Sequence, residues 1–194
     1  DVCRVALVAT TALLLGGDEV DLEVYVGPGA RLELSDVAGT VAYHGRGRSA
    51  GWSTRIELDN GAGLVYRGQP FVVADGAEAR RLLSLDAAPS ATALIRETLI
   101  LGRAGEVGGS VHDRLLVRRA GRELLIEDQC LDPAKRQRPG VLGPHRVVDT
   151  LLALGCDPGS VPPGATRFQL LESGSTLTRF LGRSLADSGL TASL

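Results

Sequence analysis

Methionine is absent from all 194 residues, an initiator included, so the expectation is that the N-terminus shown is incomplete. Lysine is almost absent as well: Lys135 is alone among 21 basic residues, and the rest are arginine. Guanidinium groups form forked, bidentate contacts that an ammonium group cannot. The bias therefore reads either as codon usage or as interface chemistry. Aromatic residues make up only 4%, which leaves Leu, Val and Ala to build a core. The three cysteines, Cys3, Cys130 and Cys156, are odd in number and far apart, so they imply no disulfide framework. That usage suits a reducing cytoplasm. The apolar run 5–15 is too short to span a bilayer and carries two threonines, and no signal peptide is visible. A net charge of −2 argues against a nucleic-acid footprint.

Several motifs are also missing. No G-x-x-x-x-G-K-[ST] occurs, which excludes a phosphate-binding P-loop. No C-x-x-C occurs, and His44, His112 and His145 show no metal-ligand spacing. There is no G-x-S-x-G nucleophile elbow. The stretch 45–50 (GRGRSA) imitates a dinucleotide loop, but the adjoining segment 52–58 is strand-like, whereas that motif must open a helix. His112-Asp113 reads as a loop pair after Gly108-Gly109, with an acid–base or metal role as the rival. A Cys–His catalytic pair has no local signature.

What is present is β-rich. Hydrophobic residues make up 44%, enough for a sizeable core. With 25 glycines and 9 prolines, turns are frequent. The segment 21–26 (DLEVYV) alternates, turns at 27–30 (GPGA) and resumes with Leu32 and Leu34. The same unit returns at 54–66, turning at 59–62 (DNGA), and at 71–85, turning at 75–77 (DGA). The Gly-Ala steps are 32 and then 15 residues apart, which predicts an irregular stack of rungs, either a sandwich or an irregular β-helix. Segment 92–101 reads as strand or short helix, and 115–131 as a hairpin around 119–122. Segment 132–144 reads as a charged, Pro/Gly-rich loop. Helical periodicity is expected at 146–154 (RVVDTLLAL) and at 176–188, where Leu177, Phe180, Leu181 and Leu185 would share a face. The whole reads as one mainly β domain over 1–194 with two short helices toward the C-terminus.

Three carboxylates lie in apolar surroundings: Asp18, Glu97 and Glu127. Such groups are costly inside a core unless paired or wetted. Each is expected either to pair with an arginine, Glu97 with Arg96 or Arg103, or to lie on a polar face; the functional alternative is a polar path or ion-handling surface.

Taken in order, several segments resemble the urease accessory protein UreD (UreH) family. They are 14–18 (LLGGD), 26–30 (VGPGA), 38–43 (AGTVAY), 61–66 (GAGLVY), 96–103 (RETLILGR) with Gly105-Glu106, then 124–127 (LLIE) and 131–133 (LDP). Their order and spacing over residues 14–155 carry the likeness. The resemblance implies a maturation factor and not an enzyme. It would act with UreF, the GTPase UreG and the urease apoprotein in the cytoplasm, with no membrane or nucleic-acid partner. It also implies an irregular β-helix-like stack with two helices, and an internal wet path for nickel in transit. The path positions fall on Asp18, Glu97 and Glu127, with Thr40 lining it, and no tightly bound cofactor is implied. The chain is shorter than many members and departs from them at 40–44 (TVAYH), where many relatives carry Lys-x-Tyr-Arg. The rival reading is an unrelated β-rich binding module or a small hydrolase.

Overall fold

Alternating side chains in segment after segment do become strands, and the strands coil. The computed structural model describes residues 1–171 and 174–191. The strands are β1 (Cys3–Leu7), β2 (Glu19–Val26), β3 (Arg31–Asp36), β4 (Thr40–Ala42), β5 (Ala50–Leu58), β6 (Gly63–Arg67) and β7 (Phe71–Val73). They continue with β8 (Glu78–Ala87), β9 (Thr92–Leu101), β10 (Ser110–Arg119), β11 (Arg122–Leu131), β12 (Val147–Leu154), β13 (Ala165–Gln169) and β14 (Ser175–Gly182). One four-residue helix, α1 (Pro133–Arg136), and a 3₁₀ turn at Leu185–Asp187 complete the described elements.

Successive coils give one strand to each of two facing sheets. Strands β2, β5, β8 and β10 run parallel in a five-stranded sheet, closed at one edge by β11. Strands β3, β6 and β9 run parallel in a nine-stranded sheet. After β9 the pattern changes: β12, β14 and β13 add on antiparallel. The architecture is therefore a β-solenoid-like stack, one of the two forms the sequence pattern allowed and the one the family resemblance implied, with an antiparallel flank that neither foresaw.

The corners between the sheets explain the Gly-Ala steps. Gly29 (φ 67°) and Gly61 (φ 71°) turn β2 into β3 and β5 into β6, in a backbone region that suits glycine. These corners stack: Gly29 N–H donates to Asn60 O at 2.9 Å and Gly63 N–H to Ala30 O at 2.9 Å. The third corner of this column is not Gly76-Ala77 but Ser90-Ala91. Thr92 N–H there donates to Ala62 O at 2.9 Å, and the Ser90 hydroxyl accepts from Gly61 N–H at 2.9 Å. Gly76-Ala77 instead turns β7 into β8, where Ala77 O accepts from Ser110 N–H. The apparent single Gly-Ala repeat is thus two separate columns of corners.

Both expected helices are strands. Segment 146–154 is β12, in which every residue is buried. A strand covered on both faces reads as a continuous apolar run, and that run happens to match helical spacing too. Val147, Val148 and Thr150 are β-branched and favour the extended form. Segment 176–188 is mostly β14, with Leu177 packed between the sheets and Phe180 on the other face. The hairpin at 115–131 forms as expected, β10 turning to β11 at Ala120-Gly121. Segment 92–101 is strand β9.

Between the sheets, two apolar clusters run along the stack, one toward each end of the strands. One is centred on Leu64, Leu85, Val117 and Leu154, the other on Val73, Leu99, Leu101 and Val111. A polar layer lies between them. A third cluster, with Leu94, Leu151 and Phe180, covers the outer face of the nine-stranded sheet.

Candidate functional site

Inward positions recur every second residue along a strand. On β9 they are Ala93, Ile95, Glu97, Leu99 and Leu101, and on β8 they are Ala79, Arg81, Leu83 and Leu85. Glu97 and Arg81 therefore fall in the gap between the two apolar clusters. Register extends the layer. Trp52, Arg81, Asp113 and Gln129 are aligned across β5, β8, β10 and β11. Glu97, Thr150 and Arg179 are aligned across β9, β12 and β14.

Arg81 is the hub. Its Nε donates to Asp113 Oδ1 at 2.8 Å and its Nη2 to Oδ2 at 3.4 Å. Its guanidinium lies 5.6 Å from the centroid of the Phe71 ring, within cation–π range. Glu97 Oε2 approaches the same Nη2 at 3.6 Å, beyond hydrogen-bond distance. Asp36 accepts the Gln69 N–H at 3.0 Å and the Tyr66 hydroxyl at 3.3 Å. Burial pushes the Glu97 carboxyl above its ordinary range; Arg81 opposes this, and Asp113 and Asp36 add to it. Burial likewise raises Asp36, against the donors of Gln69 and Tyr66. The Tyr66 phenol is raised by burial and by Asp36.

Asp36, Thr40, Tyr66, Arg81 and Glu97 line a cavity of about 30 Å³, room for about one water. It adjoins a groove of about 240 Å³ through Asp36, Thr40 and Trp52. On the opposite flank, Glu127 and Arg179 sit in a larger groove of about 730 Å³, otherwise walled by Leu124, Phe168, Leu171 and Leu177. Arg179 holds Glu127 with forked bonds at 2.9 and 2.7 Å and reaches Thr150 Oγ1 at 3.2 Å. Charges of alternating sign thus run from one flank of the stack to the other. The row sets Arg81 between Asp113 and Glu97 and Arg179 against Glu127, while Asp36 is held by neutral donors.

Among the four residues singled out from sequence, Glu97 and Thr40 share the small cavity, and Glu127 lies further along the same row. Asp18 does not join them. It sits in the loop before β2, where its carboxylate accepts the Leu15 N–H at 3.0 Å, and it lines neither groove. Neither arginine expected to pair with Glu97 does so. Arg96 points to the outer face and binds Asp149, and Arg103 binds Glu106. Sequence reasoning misses Arg81, Asp36 and Arg179, and meets Asp113 only as a neighbour of His112. Their one signal is a charged residue at an inward strand position. His112 and Asp113 are both in β10 and not in a loop; as neighbours in a strand they face opposite sides, which rules out a shared acid–base role. The imidazole of His112 bonds Asp128, and among the described contacts none links it to the Cys130 thiol, as a nucleophilic pair requires.

The chain is thus a β-solenoid-like stack with an ionic layer between its sheets that reaches a groove on either flank. The family described as UreD urease accessory protein matches residues 1–192. A urease accessory protein UreD 1 from Streptomyces griseus subsp. griseus is 48% identical over 176 residues, covering 90% of this chain and 69% of that relative. UreD 2 of Saccharopolyspora erythraea is 34% identical, covering 84% and 59% respectively. UreD 3 of the same Streptomyces griseus strain is 34% identical over 97% of this chain. The chain belongs to the UreD urease accessory protein family. It spans less than two thirds of the Saccharopolyspora relative. No helix among the described residues is long and apolar enough to cross a membrane.

Proposed function

We propose that this chain serves urease maturation as a non-catalytic scaffold. In this reading it acts in the cytoplasm with UreF, the GTPase UreG and the urease apoprotein, and passes Ni²⁺ along the polar layer between its sheets. Ni²⁺ accepts carboxylate and water oxygens, and a transit site must bind weakly enough to let go. The observation that carries the reading is Glu97: partly buried, beside a water-sized cavity, and the less satisfied of the two partners of Arg81. A cation can bind the Glu97 carboxylate without breaking the Arg81–Asp113 bond. Glu127 and Asp18 fit the role less directly. Glu127 is already held by Arg179, and Asp18 lies off the row.

The test is Glu97→Gln, with UreF capture and urease activation at limiting nickel measured on the same preparation. The expected result is retained capture with activation reduced at least about tenfold. Retained capture with full activation refutes the path. Joint loss of capture and activation assigns Glu97 to folding alone.

A further inference from the structure

On the outer face of the five-stranded sheet, away from the polar layer, the β10–β11 hairpin gathers three unlike donors. His112 and Cys130 are cross-strand partners, as are Arg114 and Asp128. Partners in a register face the same side, so His112, Cys130 and Asp128 project together. Their ligand atoms lie within 4.8 Å of one another, and Cys130 is a free thiol. We propose that His112, Asp128 and Cys130 form a surface site for a borderline-soft divalent transition-metal ion, of the Zn²⁺ and Co²⁺ type.

The donor set selects that class. Imidazole nitrogen with thiolate sulfur suits Zn²⁺, Co²⁺ and Ni²⁺, whereas Mg²⁺ and Ca²⁺ demand oxygen. On binding, the thiol releases its proton to solvent, and the thiolate and carboxylate together neutralise the ion. The ligands are also pre-positioned. β10 is paired on both sides, to β8 and to β11. Asp128 splits its oxygens: Oδ2 forms an ion pair with Arg114 Nε at 3.1 Å, while Oδ1 meets His112 Nε2 at 2.5 Å. The metal replaces the hydrogen bond between Oδ1 and Nε2, the two atoms moving apart to admit it, and Arg114 holds the carboxylate by its other oxygen. Other cations near the site are already engaged: Arg80 by Glu19 and Ser49, Lys135 by Asp132 at 2.9 Å. Three protein donors on an open face leave coordination positions for water or for a donor from a partner. The ion is therefore exchangeable, unlike one in a closed four-ligand site.

The site is independent of the interior path, because His112 and Asp113 lie on opposite faces of β10. The experiment is a Co²⁺ titration of the whole chain, followed by the thiolate-to-cobalt charge-transfer band, with far-ultraviolet dichroism to verify folding. One Co²⁺ per chain is expected, displaced by Zn²⁺ and unaffected by excess Mg²⁺. C130S should abolish the band and H112A should weaken binding at least about tenfold, while C3S should change nothing. D128N is the third variant, isosteric and exposed, and should also weaken binding. A band that survives C130S, that vanishes in C3S, or that Mg²⁺ displaces overturns the proposal. So does binding unchanged in both H112A and D128N.

Discussion

Glu97 and Asp149 lie one register step apart on adjacent strands of one sheet, facing opposite sides. Glu97 is opposite Thr150, and Asp149 is opposite Thr98. Asp149 is fully buried on the outer face and fully satisfied. It accepts a forked pair from Arg96 at 3.1 and 2.8 Å, the Thr98 hydroxyl at 2.8 Å and the Ser188 hydroxyl. Ser188 belongs to the segment after β14, so Asp149 clasps that segment onto the sheet. Glu97 shares one guanidinium with Asp113 and has the longer contact. A carboxylate with every lone pair engaged is a fixed part of the fold, whereas one with spare capacity beside a water-sized cavity is free to exchange partners.

The largest effect expected from this contrast is at Asp149. Asp149→Ala leaves the Arg96 guanidinium half-buried without its acceptor and removes the partner of two buried hydroxyls. Breaking a buried pair in this way costs about 3–5 kcal/mol. Urea unfolding followed by dichroism should show it as a lower midpoint. A loss under about 1 kcal/mol would place Asp149 with ordinary surface pairs and dissolve the contrast.

An intermediate case sharpens it. Glu127 is paired by forked bonds with Arg179 but lines an open groove. Glu127→Gln should cost about 1.5–3 kcal/mol, the range for hydrogen bonds to charged groups. The same urea series checks it, and a cost equal to that of Asp149→Ala would show that groove exposure relieves nothing.

The uneven legibility of these sites has a physical cause. Strands β2, β3 and β5 to β8 announce themselves because their patterns are bounded by turn residues. Glu97 stands out because a carboxylate in the run LIRETLIL breaks an apolar pattern. Asp149 sits in an equally apolar run, RVVDTLLAL, but helical spacing there gives it a polar face that explains it away. Arg81 follows another arginine at the start of a strand, and nothing local says which of the two turns inward. The partnership of His112 with Cys130 depends on antiparallel register across an 18-residue separation, which no spacing rule contains. Local pattern reveals where strands run; the pairing of strands decides which charges meet.

The smallest expected effect, and the most diagnostic, is on stability in Glu97→Gln. Burial raises the Glu97 carboxyl above its ordinary 4.5, Arg81 and Arg179 pull it down, and Asp113 and Asp36 push it up, with a net rise. Between 4.5 and the raised value, the folded chain holds more protons at this site than the unfolded chain does. Stability therefore falls as pH rises through that window and is constant at this site above it. Glutamine has no proton to lose. The variant should match the wild type below about pH 4.5 and equal or exceed it at neutral pH, by no more than about 1 kcal/mol. Urea midpoints at acid and neutral pH measure the difference. If the variant is less stable at neutral pH, and the deficit shrinks in acid, then ionised Glu97 stabilises the fold. Glu97 would then belong with Asp149 as a fixed ionic contact, and the spare capacity assigned to it would be gone.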